Sequence, residues 1–330
     1  MNRRSFIKNS SHFGLGLSVL GGLPLTDLLI ENTLSTFRPS LKLSLAQWSL
    51  HRAIGESRTL ANIDFALKAG KLGFEGVEYV SQLYPLDANN LSGSLDKYVT
   101  ELNKRSTDNG ITNVLIMVDN EGELAAVDKT ERDQAIGKHV KWVDAAAALG
   151  CHSIRVNLFG KAAEKDFKVW NETASDGLSR LADYAAKSKI NIIVENHGGL
   201  SSDASKLVSV IRNVGMDNCG LLPDFGNFCI ERENGERWGG NCKKEYDKYK
   251  GVAEMMPFAK GVSAKSYHFD NQGNETTIDY LRMLQIVKQS GYNGFIGVEY
   301  EGDKLDEEAG IIATRDLLLK TAQLLEVTKK

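Results

Sequence analysis

From Leu41 onward, short apolar runs alternate with stretches of helical periodicity. The runs are Leu41–Gln47, Gly76–Val80, Asn113–Met117, Ser153–Leu158, Asn191–Glu195, Cys219–Asp224, Gly261–Lys265 and Phe295–Glu299. Their starts lie 28 to 42 residues apart. Each has the length and bounding of a strand, and between them apolar residues recur at helical spacing. In Ile136–Leu149, for instance, Ile136, Val140, Val143 and Ala147 share one face. A junction pattern repeats as well. Gly73 before Val77, Gly150 before Ile154 and Gly291 before Phe295 each follow a helical stretch, where a left-handed glycine cap turns the chain back into a strand. Eight strand–helix units with no linker between them predict a single (β/α)8 TIM barrel over residues 41–330. The alternative, a doubly wound open sheet, normally uses fewer strands. It also needs a glycine-rich phosphate loop after the first strand, and Gln47-Trp48-Ser49-Leu50-His51-Arg52 is not one.

Residues 1–40 read differently. Arg3-Arg4-Ser5-Phe6-Ile7-Lys8 is followed by the moderately apolar, glycine-rich stretch Phe13–Leu23. A basic start before a short apolar segment is an export signal rather than a membrane span, and the paired arginines resemble the twin-arginine address for folded proteins. We therefore expect a periplasmic or exported protein with residues 1–40 as signal and linker, and no stable membrane anchor once the signal is removed.

Composition narrows the field. Of 330 residues, 42% are hydrophobic and 25% charged, enough to bury a large core and to set disorder aside. Lys and Arg number 40 against 43 Asp and Glu, so no basic surface for nucleic acid is expected. The cysteines, Cys151, Cys219, Cys229 and Cys242, form no C-x-x-C pair and no zinc ribbon. Spacing permits a Cys229–Cys242 disulfide, but four unpaired, packed thiols are the preferred expectation. Barrels of this size commonly dimerise, which leaves a homo-oligomer open.

In a barrel the C-terminal ends of the strands converge on one mouth. That layer collects Gln47, Glu78, Arg155, Asn157, Glu195, His197, Asp224, Ser263, Lys265, Glu299 and Glu301. Glu195, Asp224 and Glu299 each end an otherwise apolar run. Three unpaired carboxylates there would be costly to desolvate and would repel one another. One divalent cation answers both costs, and an all-oxygen donor set suits Mn, Mg or Co. Arg155 and Asn157 alternate with Ile154, Val156 and Leu158 and so face the interior, as substrate-hydroxyl ligands or as a buried polar network. His197, two past Glu195, is placed for a substrate contact, with a packed loop histidine as the alternative, and Asn227, three past Asp224, is placed for a polar substrate contact. Trp48 is placed to stack on a flat substrate face, with core rim as the alternative, and Glu78 either joins the site or anchors a loop. The polar, glycine-rich segment 231–240 is long enough for a lid and reads mainly as a solvated loop.

Val194-Glu195-Asn196-His197-Gly198, Asp224-Phe225-Gly226-Asn227 and Gly297-Val298-Glu299 resemble the sugar isomerase/epimerase family with a xylose-isomerase-like barrel. The resemblance covers residues 41–325. It implies that Glu195, Asp224 and Glu299 hold one divalent metal and that Glu195 and Glu299 carry protons. The seventh strand departs from the family pattern, because Ser263-Ala264-Lys265 stands where a histidine ligand is usual. Three outcomes follow: water or His268 completes the metal shell, Lys265 replaces metal charge and acts as an acid, or the site binds no metal. The expected activity is isomerisation or epimerisation of a neutral keto-sugar through an enediolate. The alternatives are a lyase or hydratase acting on a 3-keto-sugar, and a barrel that binds carbohydrate without catalysis. A related DNA endonuclease would need three metals, more histidines than the six present and a basic face.

Overall fold

The structure, a computed structural model, describes residues 41–327; the export-signal reading of residues 1–40 lies outside them. The chain runs through β1 (Lys42–Ala46), β2 (Gly76–Val80), β3 (Thr112–Val118), β4 (Ser153–Val156), β5 (Asn191–Glu195) and β6 (Cys219–Leu222). A hairpin of β7 (Cys229–Arg232) and β8 (Cys242–Glu245) follows, then β9 (Val262–Ser266) and β10 (Phe295–Tyr300). All strands but the hairpin pair in parallel, in the order β6-β5-β4-β3-β2-β1-β10-β9. The two ends of that sheet meet just past β6. The Ser263 N–H donates to Pro223 O at 2.9 Å, and the Phe225 N–H donates to Ser263 O at 3.1 Å. This seam closes the barrel at the register Asp224↔Ser263, beside the predicted acid.

The eight predicted strands are all present, and their alternation sorts two cores. Leu43, Leu45, Val77, Ile116, Ile154, Ile192, Val262 and Val298 point out to the helices. Ala46, Val80, Leu115, Met117, Ile193 and Leu222 fill the barrel's inside. Each buried Val, Leu, Ile or Met among them contributes about 1.5–3 kcal/mol. The apolar filling stops partway up the barrel, and the interior above it is polar: Arg155, Glu195, Ser263, Lys265 and Glu299 are all buried. The predicted glycine caps hold, with Gly73, Gly150 and Gly291 at φ 83°, 73° and 78°. The helix Lys129–Leu149 starts under an Asp128 side chain that accepts the Glu131 N–H at 2.9 Å.

Two expectations change. Segment 231–240 is not simply solvated loop, because it runs from the end of β7 into the turn of the β7–β8 hairpin. Cys229 and Cys242 are disulfide-bonded with Cα atoms 5.8 Å apart, while Cys151 and Cys219 are free and buried. The antiparallel pairing is irregular in register, setting Cys229 opposite Glu245 and Cys242 opposite Arg232, and the disulfide crosses between them. Its strands are largely polar and exposed, so no apolar alternation announces them in the sequence.

Candidate active site

Three acids reach one point from three places in the chain. Glu195 ends β5, Asp224 follows β6 at the closing seam, and Glu299 lies near the end of β10. One oxygen from each lies within 4.8 Å of the others, and the residues are 2%, 0% and 4% exposed. Local contacts aim them. The Asn196 side chain grips the Asp224 backbone on both sides, accepting its N–H at 2.8 Å and donating to its carbonyl at 3.0 Å. Asp224 Oδ1 accepts the N–H groups of Gly226 and Asn227, each at 2.8 Å. The Asn227 side chain donates to Glu195 Oε1 at 3.1 Å.

Ser263 ties the other two acids together. Its hydroxyl lies 2.6 Å from Asp224 Oδ2 and 2.9 Å from Glu299 Oε2. A hydroxyl has one proton, so one of these contacts draws its proton from a carboxyl. Asp224 suits that role, since burial outweighs the nearby Lys265 charge and pushes its carboxyl up to about 8. Burial likewise raises Glu195 to about 7, against the pull of Arg155.

Two buried cations face this cluster. Lys265 Nζ lies 3.1 Å from Glu299 Oε1, 3.0 Å from Glu301 Oε1 and 3.9 Å from Asp224 Oδ2. Burial works against its charge, but Glu299, Glu301 and Asp224 hold it protonated. For Glu301 burial is again the largest influence, yet Lys265 overcomes it and keeps the carboxyl below its usual range. Arg155 Nε lies 3.0 Å from Glu195 Oε2, and its terminal nitrogen donates to Asp119 Oδ1 at 2.7 Å. Asp119 also accepts from the Asn157 amide at 2.6 Å, and Asn157 Oδ1 lies 2.6 Å from His197 Nδ1. With Asn157 Oδ1 accepting, the imidazole carries its proton on Nδ1 and leaves Nε2 as an acceptor. Burial and the Arg155 charge lower the His197 pKa to about 3, so the ring is neutral at working pH.

The donor set fits a hard divalent cation. Six carboxyl groups (Glu78, Asp119, Glu195, Asp224, Glu299 and Glu301) stand against two permanent cations, Arg155 and Lys265. Protons on raised carboxyls make up part of that balance. A dication in the oxygen cage would displace them and let all three acids ionise.

A cavity of about 730 Å³ reaches the cluster at Glu299, with Glu195, Asp224 and Lys265 buried behind its lining. Arg155, Asn157, His197, Trp48 and Glu299 line it, as do Glu301 and Asp119. The sequence thus places Arg155, Asn157, His197 and Trp48 at one cavity wall or another. Asn227 and Glu78 take supporting positions outside the lining: Asn227 aims Glu195, and Glu78 is buried with Ser44 donating to it at 2.6 Å. Gln47 is not a mouth residue, since its side chain accepts the Val80 N–H and donates to the Tyr84 hydroxyl. His268 is not in the acid cluster; its Nδ1 lies 3.8 Å from Asp303 Oδ1. As a fourth ligand it is therefore set aside, because its loop carries it toward solvent beyond β9. Sequence reasoning missed Asp119, Phe159 and Trp238. Asp119 was readable, as an acid ending the apolar run Val114–Val118.

The fold is shared with known proteins. A family model described as a xylose isomerase-like TIM barrel matches residues 66–321. No curated protein matches the chain. Among solved structures, D-psicose 3-epimerase with D-tagatose from Clostridium cellulolyticum H10 is similar at 15% identity and TM-score 0.64, over 86% of this chain and 99% of its own. The 3-keto-D-glucoside 4-epimerase from E. coli is similar at 14% identity and TM-score 0.61, over 85% and 99%. A xylose isomerase-like TIM barrel protein from Mycobacterium smegmatis in complex with magnesium gives 16% identity and TM-score 0.58, over 86% and 96%. These structural neighbours include sugar epimerases, and at such identities they establish the fold. With its family match spanning most of the barrel, the chain belongs to the xylose isomerase-like TIM barrel family.

Proposed function

We propose that this chain is a divalent-metal-dependent isomerase or epimerase of a neutral keto-sugar, exported through a twin-arginine signal. The observation that carries the reading is the set of three buried carboxylates, from β5, the β6 seam and β10, with oxygens within 4.8 Å of one another. Sugar-epimerase neighbours, one of them acting on a 3-keto-D-glucoside, support it, as does the magnesium-bound relative. The Cys229–Cys242 disulfide favours an oxidising compartment and so supports export.

Glu195, Asp224 and Glu299 would hold the metal, which when bound polarises a carbonyl and acidifies the adjacent C–H. Glu195 and Glu299 are the proton carriers, one removing the carbon-bound proton and the other returning it. Lys265 sets a buried positive charge 3.1 Å from Glu299, where negative charge on the substrate oxygens develops. His197 Nε2, Asn157 and Arg155 receive substrate hydroxyls. The cavity-lining cations Arg52 and Arg155 are both engaged by carboxylates, which favours a neutral sugar over a sugar phosphate. Lys265 favours one further reading, a lyase or hydratase on a 3-keto-glycoside, in which its ammonium steadies a departing alkoxide after the same proton abstraction.

The test is exchange of carbon-bound hydrogen. Metal-loaded protein incubated with keto-sugars in D2O is followed by NMR at the position next to the carbonyl. Exchange that Glu195→Gln and Glu299→Gln each reduce by about a hundredfold or more supports the reading. Tight sugar binding with no exchange in the wild type would leave only a carbohydrate-binding barrel.

A further inference from the structure

The cavity is larger than the sugar ring the acid cluster needs. A hexose has twelve non-hydrogen atoms and occupies about 200 Å³ at protein-like packing, against about 730 Å³ of open space. The surplus is bounded by aromatic rings. Trp48 stacks on His51 with centroids 4.5 Å apart and planes within 13°. Across the mouth, Trp238 lies 4.5 Å from His197 and edge-on to Phe159 at 6.5 Å. β1, which delivers Trp48, and β5, which delivers His197, stand four strands apart in the eight-stranded ring.

Trp238 comes from outside the barrel repeat. It sits in the turn of the β7–β8 hairpin, whose two strands the Cys229–Cys242 disulfide clasps. Its neighbour Arg237 anchors that turn to the barrel, donating to Glu164 at 2.8 Å and lying 3.8 Å above the Phe159 ring. Glu164 neutralises Arg237, so this wall offers flat apolar faces and no net charge for an anion. Trp238 is 45% exposed, a large aromatic surface left to solvent. His197 belongs to both groups: it ends the Arg155–Asp119–Asn157 network and touches the aromatic wall. A sugar seated over the acids and bonded to His197 therefore has its next substituent beside Phe159 and Trp238.

We propose that the Phe159–Trp238 wall is a subsite for a second ring, so that the substrate is a neutral glycoside carrying a sugar or aryl aglycone rather than a free monosaccharide. This rests on the reading of the mouth as a sugar site and names its substrate class. The ring stacks on the exposed face of Trp238, with Phe159 bounding the wall beside it, while the reacting sugar lies at Glu195 and Glu299.

The probes are phenyl and methyl glucopyranosides of each anomer, with binding to the metal-loaded full chain measured by calorimetry. For the accepted anomer the phenyl glucoside binds about tenfold more tightly than the methyl glucoside. Trp238→Ala reduces that ratio to about two, and Trp238→Phe, which keeps a ring face, retains most of it. A wild-type ratio near one overturns the proposal, as does a wild-type ratio persisting in Trp238→Ala. So does failure of every glucoside to bind. Hydrogen exchange separates this result from the underlying reading. A ratio near one with exchange intact removes the subsite alone, whereas an intact ratio without exchange removes the isomerase and leaves the subsite standing.

Discussion

Glu78 provides a quantitative check on how the barrel interior handles charge. It is 2% exposed, Ser44 donates to its Oε1 at 2.6 Å, and its Oε2 has no hydrogen-bond partner. Burial, reinforced by Glu299 and Glu195, pushes its carboxyl up to about 8. In the unfolded chain the proton leaves near 4.5, so between about 4.5 and 8 the folded state holds one proton more. Stability then falls as pH rises through that window, by about 1.4 kcal/mol per unit. Glu78→Gln keeps the shape and the acceptor for Ser44 but cannot ionise. Its amide carries an unpartnered donor, a cost that is the same at every pH and cancels in the comparison. Relative to wild type, the variant should therefore gain about 3 kcal/mol between pH 5 and pH 7.5. Urea unfolding of both proteins in chelator, at those two pH values, reads this directly. A difference between the proteins that stays flat with pH would refute the reasoning, because it would mean Glu78 ionises in the fold as it does in water.

Lys265→Met should destabilise the metal-free protein by about 3–5 kcal/mol, since it strands Glu299 and Glu301 in the interior without their cation. The same change should tighten divalent binding by about tenfold or more by removing a like charge from the cage, which titration calorimetry would show. Reducing the Cys229–Cys242 bond, which closes a loop 13 residues apart, should loosen the hairpin by up to about 3 kcal/mol without unfolding the barrel. Trypsin should then cut first at Arg237; an unchanged cleavage pattern would contradict that.

The barrel was legible because parallel strands buried on both faces read as apolar runs, and each run's end exposed its chemistry. Glu195, Asp224 and Glu299 stood out for that reason, and so did the caps at Gly73, Gly150 and Gly291. The hairpin was not legible. Cys242-Lys243-Lys244-Glu245 carries no apolar alternation, and its pairing follows from backbone hydrogen bonds and a disulfide that spacing left undecided. With the hairpin went Trp238, whose place beside His197 depends on Arg237 reaching Glu164, 73 residues away. Ser263 was read as standing where a histidine ligand is usual, yet it bridges Asp224 and Glu299, a role fixed by the closing seam rather than by its own strand. His268 was read as a reserve ligand from its spacing alone, and its loop carries it toward Asp303 instead.

The most direct measurement of the central claim is the metal content of protein purified without chelator, wild type beside Asp224→Asn. Asp224 Oδ1 accepts two backbone N–H groups and its Oδ2 lies 2.6 Å from the Ser263 hydroxyl, so the amide fits the same space while giving up the charge. About one equivalent of Mn, Co or Mg in the wild type and little in the variant is the predicted result. No metal in either protein, or equal metal in both, would contradict a carboxylate metal centre formed by Glu195, Asp224 and Glu299.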